Sequence, residues 1–144
     1  MQYSPLGSSG VNVSRVCLGS MTWGVQNTQR DADDQIAYAL ERGVNFIDTA
    51  EMYAVPPSPE TYGKTEQIIG DWLSRNQQKR SDIVLATKVA GNGLSWVREG
   101  GDITRQAVIE AVDNSLKRLQ TDYIDLYQLH WPNRSTPHFA RQWP

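Results

Sequence analysis

Four residues whose side chains can move or steady a proton lie near the ends of predicted strands. Asp48, Lys88 and His130 each end an apolar segment, and Tyr53 lies five residues beyond Asp48. A tyrosine, with an ordinary pKa of about 10, is a poor acid at neutral pH, but a neighbouring cation stabilises its anion. Lys88 would be that cation and Asp48 would keep it charged, while His130 could share the phenol's proton or orient a substrate oxygen. Together the four side chains predict a general acid that protonates an oxygen on which negative charge develops.

Each of these residues also has an ordinary structural interpretation. Asp48 could cap a turn and Lys88 could be a solvated side chain, while His130 could be structural. Tyr53 could serve only in packing. The chemical interpretation depends on position, because the loops that leave the carboxyl ends of parallel strands build the active sites of α/β proteins. Three successive strands that deliver a carboxylate, an ammonium and an imidazole to one rim favour a shared function.

The signatures of several other enzyme classes are missing from the sequence. It contains no Ser-His-Asp order, no HExxH or CxxC spacing and no GxGxxG fingerprint. Hydrolase, metalloenzyme and Rossmann dehydrogenase functions therefore lose their usual supports, and no metal site is predicted.

The elements that would position the four residues alternate between strand and helix. A hairpin that turns at Ser9 and Gly10 comes first. The predicted strands cover 15–20, 44–48, 82–88 and 122–130, and the predicted helices cover 28–42, 64–76 and 104–120. This alternation predicts an α/β fold with a parallel sheet, either a barrel or a doubly wound sheet, in a single domain that spans residues 1–144.

Capping residues and apolar stripes support the three helices. The first helix carries acidic residues in its opening turns and Gly43 as its stop signal. Thr104 is the expected N-cap of the third helix. Gly70 slightly weakens the prediction of the second, because glycine costs stability in a helix interior.

Composition restricts the partners and the location of the protein. The chain has 144 residues, 39% of them hydrophobic and 21% charged, as in a globular protein. A net charge of -2 gives no electrostatic reason to expect nucleic acid or a membrane surface as a partner. No apolar run approaches the roughly 20 residues that span a bilayer, and the N-terminal segment lacks signal-peptide features, so a cytoplasmic location is expected. The single cysteine, Cys17, agrees with a reducing compartment and is expected in the core, between Val16 and Leu18.

Three segments together resemble the aldo-keto reductase family. "GVNFIDTAEMY" resembles the strand-to-loop motif that carries the family's catalytic Asp and Tyr, and "LATKV" resembles its lysine strand. "SLKRLQTDYIDLYQLHWP" is similar to the helix and strand that end at its catalytic His. The stretch "AEMYAVPPSPETYGKTE" is similar to a bacterial, Tas-like branch of the family.

The resemblance implies an NADPH-dependent reductase of aldehydes or ketones on a (β/α)₈ TIM barrel. It makes Tyr53 the proton donor, Lys88 and Asp48 the pair that tunes it, and His130 the residue that orients the carbonyl. Hydride would pass from the nicotinamide to the carbonyl carbon of a small-molecule substrate.

The same resemblance suggests which residues line the cofactor and the substrate. Gly19, Ser20, Met21 and Asp48 would line the nicotinamide end of NADPH. Tyr53 and His130 would contact the substrate, and Trp23, Trp96 and Trp131 would form walls of its pocket. Core packing is the alternative for all three tryptophans.

A complete barrel needs roughly 250 residues, whereas four of its eight strands can be found here. The chain is therefore expected to be the first half of such a barrel, without the later segments that clamp the rest of the cofactor. It could be part of a longer reductase, a half that pairs with another half barrel, or a non-catalytic relic. Unpaired edges at the first and fourth strands predict self-association or poor solubility.

A second function stays open beside the reductase. The family resemblance also implies that such a scaffold can serve as a nucleotide sensor or a regulatory binding module, as in potassium-channel β subunits. The four proton-handling residues do not exclude it.

Overall fold

The computed structural model describes residues 1–133 and contains a hairpin followed by a parallel sheet. The hairpin pairs β1 (Tyr3–Pro5) with β2 (Asn12–Ser14), as predicted. The strands of the sheet are β3 (Cys17–Gly19), β4 (Phe46–Asp48), β5 (Val84–Val89) and β6 (Leu126–Leu129). They lie side by side in chain order, and each neighbouring pair is parallel.

Three α-helices connect these strands, and their ends lie within one residue of the predicted ends. They are α1 (Gln29–Glu41), α2 (Lys64–Arg75) and α3 (Arg105–Leu119). Thr28 and Asp31 form a capping box at the start of α1, and the Thr104 side chain accepts the Ala107 N–H at the start of α3. Two short 3₁₀ segments, Gln77–Asp82 and Arg98–Gly100, were not predicted.

All three helices pack on the same face of the sheet. Ile36, Ile68 and Leu119, one from each helix, belong to a single buried cluster with Ile47 and Leu85 of the sheet. A doubly wound sheet would carry helices on both faces and would reverse its strand order at a switch point. The sheet is therefore a segment of a barrel, and the opposite face is the one that would line the barrel interior.

The alternation of side chains along the strands decides which residues reach the interior-lining face. Ile47 and Leu85 point to the helices, so Asp48 and Lys88, one and three positions further on, point to the other face. The register aligns Gly19 with Asp48 and Asp48 with Ala86, while Lys88 lies beside Gln128. The ends of the strands thus form one rim.

Gly70 has a packing function inside α2. A Cβ at this position would collide with the backbone carbonyl of Arg118 in α3. The residue that weakened the helix prediction is therefore what allows α2 and α3 to approach closely.

The expectation that Cys17 is a core residue is wrong. Cys17 is exposed, and its neighbour Val16 is 54% exposed. The flanking apolar residues suggested burial, but β3 pairs only with β4 among residues 1–133, and Cys17 points away from the helices. The apolar side chain that packs toward the core is that of Leu18.

Within residues 1–133, none of the helices has the length and apolar character needed to cross a bilayer.

Candidate active site

The central contact of the site joins Asp48 at the end of β4 to Lys88 near the end of β5. The Lys88 ammonium donates to Asp48 Oδ2 at 2.6 Å and to the Thr49 carbonyl at 2.7 Å. The other carboxylate oxygen of Asp48 accepts the side-chain amide of Gln128 at 3.3 Å. The lysine side chain is only 13% exposed, so these oxygens compensate its charge and fix its direction.

A short turn after β4 carries Tyr53 to this pair. The Tyr53 N–H donates to the Ala50 carbonyl at 3.1 Å, and its own carbonyl accepts the Thr65 N–H at 3.5 Å. The Lys88 ammonium lies 5.1 Å from the centre of the Tyr53 ring. The turn therefore folds back over the rim and brings the phenol beside the cation.

His130, directly after β6, completes the group. Its ring lies edge-on to the Tyr53 ring, with 5.5 Å between the ring centres, and tilted against Trp131 at 5.0 Å. Burial and, to a smaller extent, the charge of Lys88 lower the pKa of His130 below its ordinary value. The imidazole is therefore neutral at pH 7, and its Nδ1 is buried with no hydrogen-bond partner among the described residues. All four residues singled out in the sequence are together.

The predicted cofactor residues lie at the end of β3, on the same rim. Gly19 is exposed, and a Cβ built on it would meet no atom within 4 Å. Ser20 is buried, and both its N–H and its hydroxyl donate to the Asp48 carbonyl, at 3.2 and 2.8 Å. Met21 is 51% exposed, and its carbonyl accepts the Val55 N–H. Open space thus adjoins Gly19 and Met21, whereas Ser20 fixes β3 against β4.

The three tryptophans have different environments. Trp23 is 1% exposed in the core and donates its indole N–H to Gln35, which is the core-packing alternative given above. Trp131 packs on His130 and donates to the Asn92 carbonyl at 3.1 Å. Trp96 is 37% exposed in the loop after β5.

Sequence reasoning missed two contacts that complete the site. Gln128 bonds Asp48, and it could have been found, because it lies two residues before His130 and therefore points to the same face. The second is an ion pair between Glu51, which is fully buried, and Arg98. No sequence signal connects these two residues, because they are separated by 47 positions and lie outside the periodic strands and α-helices.

The described residues thus form a segment of an α/β barrel in which an aspartate, a tyrosine, a lysine and a histidine lie together at one rim. The aldo/keto reductase family model matches residues 15–143. The chain belongs to the aldo/keto reductase family.

Several curated proteins are similar to nearly the whole chain. "Protein tas" of Escherichia coli (strain K12) is 46% identical over 144 residues, which is 98% of this chain and 41% of that protein. "Aldo-keto reductase YhdN" of Bacillus subtilis (strain 168) is 38% identical over 147 residues, 95% of this chain and 40% of that protein. The "Probable voltage-gated potassium channel subunit beta" of Arabidopsis thaliana is 37% identical over 138 residues, 95% of this chain and 39% of that protein. The chain thus spans about two fifths of the length of these relatives.

Proposed function

We propose that the chain carries the proton-transfer centre of an NADPH-dependent oxidoreductase that reduces aldehyde or ketone groups of small molecules. The observation that carries this proposal is the single contact set formed by Tyr53, Lys88, Asp48 and His130. Membership of the aldo/keto reductase family supports the reaction class.

In this reaction Tyr53 is the general acid. Its hydroxyl proton passes to the carbonyl oxygen as negative charge develops there, which yields the alcohol. Lys88 stabilises the phenolate that remains, and Asp48 holds the ammonium in direction. His130, neutral at pH 7, can donate one hydrogen bond to the carbonyl oxygen without competing with Tyr53 as an acid.

The residues at the end of β3 fit the nicotinamide end of NADPH. Gly19 leaves room for a planar ring close to the backbone, and the exposed Met21 can cover it, with Asp48 beside them. The hydroxyl of Ser20 is already bonded to the Asp48 carbonyl, so this residue would shape the site rather than bind through its side chain. When bound, NADPH would supply the hydride that adds to the carbonyl carbon.

The substrate pocket in this proposal adjoins Tyr53 and His130. Among the described residues, Trp131, which packs on His130, and the partly exposed Trp96 are two aromatic side chains that would form its walls. Trp23 is not available for this purpose, because it is enclosed by the core.

Two measurements test the proposed function. NADPH fluorescence titrated with the chain reports binding. A chimera in which residues 15–133 replace the matching part of E. coli protein tas then reports turnover as NADPH oxidation with a panel of aldehydes and ketones. We expect saturable oxidation by the chimera. A folded chimera that binds NADPH and oxidises none of it with any carbonyl compound would contradict the proposal.

That contrary result is what a second candidate, a nucleotide-sensing regulatory module, predicts. The similarity to the Arabidopsis protein named as a potassium channel β subunit favours it. The two functions differ in turnover, since a sensor needs nucleotide binding alone.

We also propose that the chain is cytoplasmic and that it self-associates through its sheet edges. Among the described residues β3 pairs only with β4, and β6 pairs only with β5. Their outer edges offer backbone hydrogen-bonding groups to another strand. Sedimentation of the chain should give concentration-dependent association, and a monodisperse monomer would contradict this proposal.

A further inference from the structure

Glu51 is a fully buried carboxylate two residues before Tyr53, and the proton-transfer scheme gives it no part. Its oxygens accept both terminal nitrogens of the Arg98 guanidinium, at 2.8 and 2.5 Å. They also accept the Ala90 N–H at 2.6 Å and the Tyr62 hydroxyl at 3.1 Å. A buried charge needs such a set of partners, and this one draws them from three separate parts of the chain.

These bonds attach residues 49–53, here named the tyrosine turn, to the end of β5. The Glu51 N–H donates to the Lys88 carbonyl at 3.3 Å, and the Glu51 carboxylate accepts the N–H of Ala90. Glu51 is therefore hydrogen-bonded to the backbone on both sides of Val89. Since the Tyr53 N–H bonds to the carbonyl of Ala50 in the same turn, a displacement of Glu51 would move the phenol relative to Lys88.

Arg98 brings a second loop into this arrangement. It belongs to residues 91–103, here named the β5 loop, which also contains Trp96. Arg98 and Glu99 have φ values of +46° and +57°, a region that costs free energy for residues other than glycine. Arg98 also donates to the Ala90 carbonyl at 3.2 Å. The bidentate pair with Glu51 thus supports a strained backbone at the point where the β5 loop meets the tyrosine turn.

The hydroxyl of Tyr62 adds a neutral donor to the pair. Burial and the charge of Glu51 raise the pKa of Tyr62, so the hydroxyl keeps its proton and donates to the carboxylate at neutral pH. The Glu51 carboxylate is therefore supported from the residues just before α2 as well as from the end of β5 and from the β5 loop.

We propose that Glu51 and Arg98 are positioning residues that hold Tyr53 against Lys88 and His130 and fix the β5 loop relative to the tyrosine turn. The proposed placement of Tyr53 does not depend on the proposed function, whereas the effect of Glu51 and Arg98 on the rate of turnover rests on it. A positioning role predicts that their loss changes the approach of Tyr53 to His130 and lowers turnover more than cofactor affinity.

The chain contains a matched control for this proposal. Asp125 accepts Arg80 Nη2–H at 2.8 Å and the Leu85 N–H at 2.9 Å. The arginine side chains of the two pairs are similarly exposed, 12% for Arg98 and 10% for Arg80. The Asp125 pair lies at the amino ends of β5 and β6, opposite the rim that carries Tyr53, so its loss should destabilise the fold without moving Tyr53.

NMR of the chain tests the geometry directly. The readouts are the nuclear Overhauser effect between the ring protons of Tyr53 and His130 and the ring chemical shifts of Tyr53, assigned with Tyr53→Phe. We expect Glu51→Gln and Arg98→Lys to shift the Tyr53 ring signals and to weaken the ring-to-ring effect by about twofold or more. Asp125→Asn should leave both unchanged.

Two outcomes would overturn the inference. One is a folded Glu51→Gln or Arg98→Lys variant with the Tyr53–His130 effect of the unaltered chain. The other is an Asp125→Asn variant that weakens the effect equally. If Glu51→Gln does not fold, Arg98→Lys decides, because it keeps the positive charge and loses only the bidentate geometry.

Turnover of the tas chimera tests the effect on rate. We expect Glu51→Gln to lower kcat by about tenfold or more while the Kd for NADPH changes by less than about twofold. Asp125→Asn should change neither by more than about twofold. An inactive unaltered chimera would count against the proposed function, and the NMR result would then decide the positioning role. Equal losses in kcat and NADPH affinity in the Glu51→Gln chimera would overturn the positioning role.

Discussion

The Lys88 ammonium and the Asp48 carboxylate are joined at 2.6 Å although the sheet register places the two residues two positions apart, since Asp48 lies beside Ala86 and Lys88 beside Gln128. Both side chains point to the face that the helices leave uncovered. The lysine therefore reaches back along the interior-lining face, and its ammonium also bonds the carbonyl of Thr49. Asp48 is the last residue before the tyrosine turn, so the pairing of β4 with β5 also sets where Tyr53 lies relative to Lys88.

The first prediction concerns the coupling within this pair. Lys88→Met leaves an uncompensated carboxylate at a site where Asp48 is 30% exposed, and Asp48→Asn leaves an uncompensated ammonium. A double-mutant cycle from urea unfolding of the chain should give a coupling free energy of about 1–3 kcal/mol in favour of the pair. Additive single effects would show that the two charges do not depend on each other.

The second prediction concerns the pH dependence of stability. The pKa of His130 is lowered in the folded chain, whereas the unfolded chain has an ordinary value of about 6.5. As the pH falls below about 6.5, the unfolded state binds a proton first, so this contribution is fully present above that pH and is lost as the pH approaches the folded value.

The comparison of His130→Gln with the unaltered chain isolates this effect from other titrating groups. The urea midpoint should fall less between pH 7.5 and pH 5.5 in the variant than in the unaltered chain. Identical pH dependence in the two proteins would remove His130 from the account of acid destabilisation.

The third prediction separates cofactor binding from folding at Gly19. Because a Cβ there would meet no atom within 4 Å, Gly19→Ala should change the free energy of unfolding by less than about 0.5 kcal/mol. A bulkier Gly19→Leu should fill the open space and weaken NADPH binding, as measured by fluorescence titration. Unchanged NADPH affinity in a folded Gly19→Leu variant would exclude Gly19 from the nicotinamide site. Gly19→Ala is the reference for Gly19→Leu, because both replace the same glycine and only the larger side chain fills the open space. Gly7→Ala would not serve as a reference, because the φ of Gly7, +58°, would strain an alanine.

Residues that depend on local pattern could be predicted from the sequence. The helix ends followed from Thr28 and Thr104, whose capping acts over three residues. The grouping of Asp48, Lys88 and His130 could be predicted from their positions at strand ends, because parallel strands bring those ends to one rim. The choice between a barrel and a doubly wound sheet required the structure, because the apolar stripes of α1, α2 and α3 do not indicate which face of the sheet each helix covers.

Residues that depend on distant partners could not be predicted in this way. The burial of Glu51 requires Arg98, and the glycine at position 70 is explained only by the approach of Arg118. Cys17 was misplaced for a related reason: its apolar neighbours suggested a core, but burial of β3 depends on which strands flank it.

The central claim is that Tyr53 donates the proton, and one substitution tests it most directly. Tyr53→Phe keeps the ring against Lys88 and His130 and removes only the hydroxyl. In the tas chimera this variant should lose about 10²–10⁴-fold in kcat for carbonyl reduction with little change in NADPH affinity. Tyr38→Phe, at a tyrosine that is 60% exposed on α1, should retain full activity as the control. A Tyr53→Phe chimera that reduces carbonyl compounds at the unaltered rate would contradict the account.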